Sequence, residues 1–394
     1  MQRFFATLCL LLALPTSAMD VLSEREQADL IDRINQQRFE QVLPPLMQRE
    51  NIDMWVILSR EYNEDPVLKT MLPSSWMSAR RHTMLVLHDP GAGKPLERLA
   101  VARYPVGDLF AKAWDKEQQP DQWRALADVI GARDPARIAV NFSEHFALAD
   151  GISSTEYRQF MAALPEALQA RVVPGERLAI AWLETRSELE MRYYPKLVAM
   201  GHALIRRAFS NEVITPGETT TEDVVWWLRQ RSTEYGLGNW FHPTMNIQRA
   251  DDQQFDQVTA FSKNAEQNTI QPGDLIHVDF GITYLRLHTD QQQHAYILRP
   301  GEKAPPAGLI AALAQANRLQ DILTGNFKAG RSGNEVLALS RQQAIDEGIK
   351  PSIYSHPLGF HGHAAGPAIG RWDAQQGVPA TGDYPLYPDT AYSI

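Results

Sequence analysis

Pro272-Gly273-Asp274-Leu275-Ile276-His277-Val278-Asp279-Phe280-Gly281, followed by Thr289-Asp290, is the stretch that decides the reading of this chain. A turn, a strand over 275–280, a connection and a second strand over 284–297 are legible in it. Asp279 and Asp290 stand 11 residues apart, so a hairpin centred near Tyr284-Leu285 sets them opposite each other. Cross-strand neighbours lie about 5 Å apart at Cβ. Two carboxylates at that separation on an inward face repel unless a positive charge sits between them, and a metal ion is the usual answer. Spacing alone leaves open that one Asp is a surface residue.

A second signal lies downstream. Three of the 11 histidines fall in His356-Pro357-Leu358-Gly359-Phe360-His361-Gly362-His363, ahead of Ala364-Ala365-Gly366-Pro367. A neutral imidazole completes an oxygen-rich site suited to Mn, Co, Zn or Fe. One or two of the three are instead expected to hydrogen-bond within the loop.

Together these motifs resemble the creatinase/methionine-aminopeptidase ("pita-bread") superfamily. GDLIHVDFG…HTD is similar to its strand motif, and His356, Gly359 and His363 match its H-x-x-G-x-x-x-H. RSELEMRYYPKLVAMGHALI resembles the family's opening helix and ITPGETTTEDV the entry to its second helix. The segment before them, beginning R…MQRENIDMWVIL, looks like the N-terminal domain of Xaa-Pro aminopeptidases, prolidases and creatinases. The resemblance spans 24–394. It implies an α+β fold: a creatinase-like α/β domain over 19–180, then a pita-bread metallopeptidase domain over 181–394.

The same resemblance implies an aminopeptidase using two divalent metal ions (Mn, Co or Zn) on a peptide substrate, with a homodimer allowed. Asp279 would bind one metal, Asp290 would bridge both, and His356 would bind the other. His363 would stabilise the tetrahedral intermediate as a preorganised donor. His361 competes with His356 for the ligand role, but only His356 has Gly at +3 and His at +7. Proline preference follows from the two-domain layout alone. The other reading is a metal-free relative, either a creatinase-type C–N hydrolase or a peptide-binding protein. Keeping both Asp and the His argues against it. No G-x-S-x-G elbow supports a serine hydrolase.

Three departures stand out. The family's two Glu ligands follow a strand like Thr390-Ala391-Tyr392-Ser393-Ile394, and the natural chain is expected to continue with Glu. The substrate-binding His usual near 262–265 is absent from FSKNAEQN, and His242 is given no role. Ser355 stands where a Gly usually precedes the ligand His.

The remaining sequence bounds the setting. Arg3, an apolar run FFATLCLLLALP and Thr16-Ser17-Ala18 read as a signal peptide over 1–18, cleaved after Ala18. The run is shorter than the roughly 20 residues a membrane span needs. Export predicts a periplasmic or secreted protein, with no membrane association after cleavage. It also removes Cys9, the one cysteine, and with it thiol chemistry and disulfides. The net charge of -9 includes Arg3, so the mature chain carries -9 - 1 = -10. That acidity argues against a nucleic-acid partner. In the first domain, a helix over 24–49 kinked or ended at Pro44-Pro45 precedes apolar strands at 54–58, 83–88, 98–104 and 137–142. Helical patterns cover 120–131 and 154–170, and Gly91-Ala92-Gly93-Lys94 reads as a strand-connecting loop. Further on, helices are expected over 187–209, after ITPGETTTEDV, and over 308–346 with a break at Gly325 to Gly333. Trp226 and Trp227 are expected to pack into the core.

Overall fold

The structure, a computed structural model, describes residues 21–91, 93–249 and 268–394. The expected signal peptide with Cys9, Ala92 of the Gly91–Lys94 loop and most of FSKNAEQN lie outside the described residues.

Helix α1 (Glu24–Gln37) opens on a capping box between Ser23 and Glu26. The prolines at 44 and 45 do not end it. The chain passes through a π-helical turn at Arg38–Val42 and continues as α2 (Leu43–Glu50), with the prolines in its first turn. A proline offers no N–H and its ring clashes with the carbonyl four residues back; the widened π turn accommodates both deficits. The helix stops where Asn51 turns left-handed.

Six strands follow: β1 (Met54–Arg60), β2 (His82–His88), β3 (Glu97–Val101), β4 (Ala111–Lys112), β5 (Ile138–Val140) and β6 (Val172–Pro174), in the order β4-β3-β2-β1-β5-β6. Central β1 runs antiparallel to β2 and parallel to β5. It is apolar on both faces because both are covered. Trp55 and Ile57 pack with Phe39, Leu43 and Trp182, while Met54, Val56 and Leu58 pack with Trp114, Leu126 and Phe160. The covering helices are α3 (Pro66–Met71), α4 (Gln122–Gly131), α5 (Ser154–Ala163), the short α6 (Glu166–Gln169) and α7 (Glu176–Glu184). Trp182 of α7 donates its indole N–H to Thr70 Oγ1 of α3 at 2.7 Å.

The C-terminal half begins with α8 (Glu188–Ala208) and α9 (Thr221–Glu234), each opened by a capping box. They cover one face of an antiparallel sheet ordered β12-β9-β8, made of β8 (Thr244–Gln248), β9 (Leu275–Phe280) and β12 (Gln291–Tyr296). Alternation along β9 sets the two faces. Ile276, Val278 and Phe280 are fully buried against Leu197, Leu204, Val224 and Leu228, leaving Leu275, His277 and Asp279 to the other face. β7 (Gly238–Asn239), β10 (Ile282–Tyr284) and β11 (Leu287–His288) form a small companion sheet. Helices α10 (Ala307–Asn326) and α11 (Gly333–Asp346) then lead to the two-stranded pair β13 (His356–Leu358) and β14 (Ala391–Ser393). Among the described residues no helix is long and apolar enough to cross a membrane. Trp227 packs against the core, but Trp226 is 52% exposed, under Arg229, on the solvent side of α9.

Glu184, the last residue of α7, is fully buried and ties the first core to the C-terminal region. The Tyr384 hydroxyl donates to its Oε1 at 3.2 Å, and its Oε2 has no partner. Burial pushes this carboxyl from its ordinary 4.5 up to about 8. The folded state therefore holds the proton more tightly than the unfolded chain, and stability is lost as pH rises between those two values. Glu184→Gln keeps the shape and removes the ionisation. Its stability advantage over wild type should widen between about pH 6 and about pH 9, read as urea midpoints. A difference that stays constant with pH would refute the assignment.

Candidate metal centre

The hairpin that carries the acidic pair is built by a tight turn. Thr283 pairs with His288 and Tyr284 with Leu287, so the turn residues are Leu285 and Arg286, at φ 53° and 63°. Neither is Gly, Asn or Asp, the residues that take this conformation at least cost. Arg286 anchors the turn by donating to the carbonyl oxygens of Leu72 and Pro73 in the first domain, at 2.7 and 3.2 Å.

In this register Asp279 faces Gln292, not Asp290. The two aspartates are diagonal neighbours, one step away from the direct opposition expected for a hairpin centred near Tyr284-Leu285. They still meet. Asp290 lies just before β12, and its backbone is pinned by neighbours. Thr289 N donates to Ile282 O at 2.9 Å, and Trp240 Nε1 donates to Thr289 O at 2.7 Å. Ser393 Oγ donates to Asp290 O at 3.2 Å.

Strand β13 brings His356 to the pair. Its Nε2 lies 3.2 Å from Asp290 Oδ2, while Nδ1 faces the Pro357 carbonyl oxygen at 3.1 Å. His363 stands at right angles to His356, with ring centroids 4.7 Å apart. The Trp240 ring lies against its other side at 5.2 Å. Gly362 allows this approach, since a Cβ there would sit 2.3 Å from Trp240. One ligand atom each from Asp290, His356 and His363 falls within 4.8 Å of the others.

The donor set fits a divalent cation. Asp279 Oδ1 and Asp290 Oδ1 are both buried without a hydrogen-bond partner. Burial, then the Asp290 charge, raises the Asp279 carboxyl well above the ordinary carboxylate range. Orphaned, mutually repelling oxygens beside two imidazoles are what a cation would satisfy.

The group opens into a cavity of about 890 Å³, lined also by Trp240, Tyr354, Arg371 and Trp372. His361 does not line it. Its Nε2 is buried and unpartnered, and burial, followed by His288, Lys69 and Arg186, lowers its pKa to about 4. Of the five residues singled out in the sequence, Asp279, Asp290, His356 and His363 come together and His361 stands apart. His277 and His294 also line the cavity, outside the residues that the sequence motifs single out. The signal for His277 was present: it lies two residues before Asp279 on a strand, hence on the same face. His242 lies away from the cluster, beside Trp226 and Arg229.

Residues 196–389 match the model of metallopeptidase family M24. No curated protein sequence matches. Solved structures do. An X-Pro aminopeptidase from Thermotoga maritima aligns over 88% of this chain and 88% of its own, at 14% identity and TM-score 0.59. An Xaa-Pro dipeptidase from Bacillus anthracis aligns over 94% and 89%, at 14% identity and TM-score 0.56. A dipeptidase from Mycobacterium ulcerans aligns over 94% and 88%, at 16% identity and TM-score 0.54. At such identities the likeness is one of fold, and it extends over 88–94% of this chain. The expected α+β pita-bread architecture is thereby borne out. With the acidic pair and the histidines brought together inside it, the matched segment, residues 196–389, belongs to metallopeptidase family M24.

Proposed function

We propose that this chain is a dinuclear divalent-metal aminopeptidase that removes the N-terminal residue from peptides, with a preference for Xaa-Pro bonds. The observation that carries the reading is the pair of orphaned carboxylate oxygens on Asp279 and Asp290 beside His356. A metal-free relative would gain nothing from two buried carboxylates that repel each other. Substrate class rests on the neighbours named X-Pro aminopeptidase and Xaa-Pro dipeptidase.

Asp279, Asp290 and His356 would hold the ions, which as Mn, Co or Zn lower the pKa of bound water and polarise a carbonyl. The Pro357 carbonyl fixes the His356 ring so that Nε2 faces the carboxylates. His363, exposed to the cavity, is placed to donate to the oxygen that gains charge as the peptide carbonyl becomes tetrahedral. Trp240 holds that ring in place and, with Trp372, supplies an apolar wall for the residues flanking the bond. Export to the periplasm or beyond, through the 1–18 segment, completes the proposal.

The test is metal content together with hydrolysis of Xaa-Pro dipeptides and Xaa-Pro-Yaa peptides, before and after chelation and metal restoration. Metal-dependent release of the N-terminal residue supports the reading. No metal-dependent turnover on any peptide overturns it. Mature protein beginning at Met19 in a periplasmic fraction would support export.

A further inference from the structure

The cavity-facing side of the β8-β9-β12 sheet carries two rows of side chains that run across the strands. One row is Thr244, Asp279 and Gln292, and it leads to the acidic pair. The next is Asn246, His277 and His294. In this second row the two imidazoles are direct cross-strand partners, with ring centroids 4.6 Å apart and planes tilted by 43°. His277 Nε2 lies 3.0 Å from Gln292 Oε1. An amide oxygen only accepts, so Nε2 carries the hydrogen and Nδ1 keeps a free lone pair. This is how a ligating histidine is usually held: one nitrogen tied to an oxygen acceptor, the other left for the metal. Among the described residues neither nitrogen of His294 has a hydrogen-bond partner, and both rings line the cavity.

We propose that His277 and His294 form a second metal site on the cavity wall, separate from the Asp290–His356–His363 group. Two imidazoles with the Asn246 amide beside them suit a borderline divalent cation such as Zn, Ni or Cu(II), with water completing its coordination. His277 is two residues from Asp279 along β9, so the two rows are about 7 Å apart along the strand and share one cavity wall. An ion at the histidine pair narrows the same cavity. Excess zinc therefore inhibits hydrolysis by occupying it. This inhibition rests on the peptidase reading; the site itself does not.

Zinc stoichiometry by equilibrium dialysis, on wild type, His294→Gln, His277→Gln and Asp290→Asn, separates the two. Each histidine variant should bind one zinc fewer than wild type, while Asp290→Asn keeps that ion and loses zinc elsewhere. One equivalent of Cu(II) bound to Asp290→Asn should show coupling to two imidazole nitrogens by EPR, and adding His277→Gln and His294→Gln together should remove that signal. In the active enzyme, His294→Gln should raise the zinc concentration for half-inhibition at least about tenfold. If both histidine variants bind as much zinc as wild type, the proposal is overturned and the rings are only packed together. If Asp290→Asn loses no zinc while the histidine variants do, the reading of the acidic site fails and the histidine site stands.

Discussion

Asp290→Asn should abolish peptidase activity, by roughly a thousandfold or more at saturating metal, and yet make the metal-free protein more stable. Both results come from the same geometry. The Asp290 side chain is only 6% exposed, and its Oδ1 has no partner. It adjoins Asp279, whose carboxyl is raised by burial and then by the Asp290 charge. Without metal, two carboxylates are held in a place that favours one charge at most. Asparagine removes one charge, fits the same space, and can donate its Nδ2 amide N–H to His356 Nε2, now 3.2 Å from Asp290 Oδ2. Asp279 then ionises with less opposition. The sign reverses when metal is present. Wild type gains about 2.7 kcal/mol at a metal concentration one hundred times Kd, and the variant gains far less. Thermal melts with chelator and with metal, alongside turnover, would show the crossing. A variant as active as wild type, or less stable in chelator, would remove the metal-site reading.

The periodicity of single segments carried much of the fold. β1 and β9 are legible because each has one rule along its length: apolar throughout when both faces are covered, alternating when one is. Rows that cross strands are not legible in the same way. The Asn246, His277 and His294 row needs the register of three strands at once, and no local pattern fixes it. Register also explains the diagonal placement of Asp279 and Asp290. The turn residues, Leu285 and Arg286, carry no turn signal, and what offsets their left-handed backbone is Arg286 bonded to a distant segment. Among the histidines, the spacing of His356 and His363 pointed to the cluster. His361 shares their loop, but its ring is buried away from the cavity, a matter of loop path around Gly359 and Gly362. Trp226 departs from the core expectation for a simpler reason: two adjacent helical residues cannot both face one core.

Glu190→Gln should destabilise the protein by about 3–5 kcal/mol, because it strands two buried guanidinium groups. Glu190 lies in the first turn of α8, 5% exposed. It accepts from Arg38 at 2.7 Å, from Arg186 at 2.9 Å and from the Ser187 amide at 2.6 Å. Burial alone would push its carboxyl up, but Arg186 and Arg38 together hold it below the ordinary value. The arginines are otherwise committed to backbone carbonyls where α7 passes into α8: Arg38 to Trp182 and Thr185, and Arg186 to Leu183 and Glu184. Arg38 reaches there from the π-helical turn at Arg38–Val42, so the carboxylate holds the entry helix to the passage from α7 to α8. A glutamine keeps the volume and the oxygen but not the charge, and its amide N–H₂ must face a guanidinium. Glu188 gives the contrast: it pairs with Arg192 on the same helix, but both side chains are about two-thirds exposed (70% and 67%). Glu188→Gln should shift the urea midpoint by no more than the error of measurement, as exposed pairs usually do. The Glu190 contribution should also fade in acid, as pH falls through the depressed folded pKa of that carboxyl. Equal midpoint shifts for the two variants would mean that the buried network contributes no more than a surface ion pair.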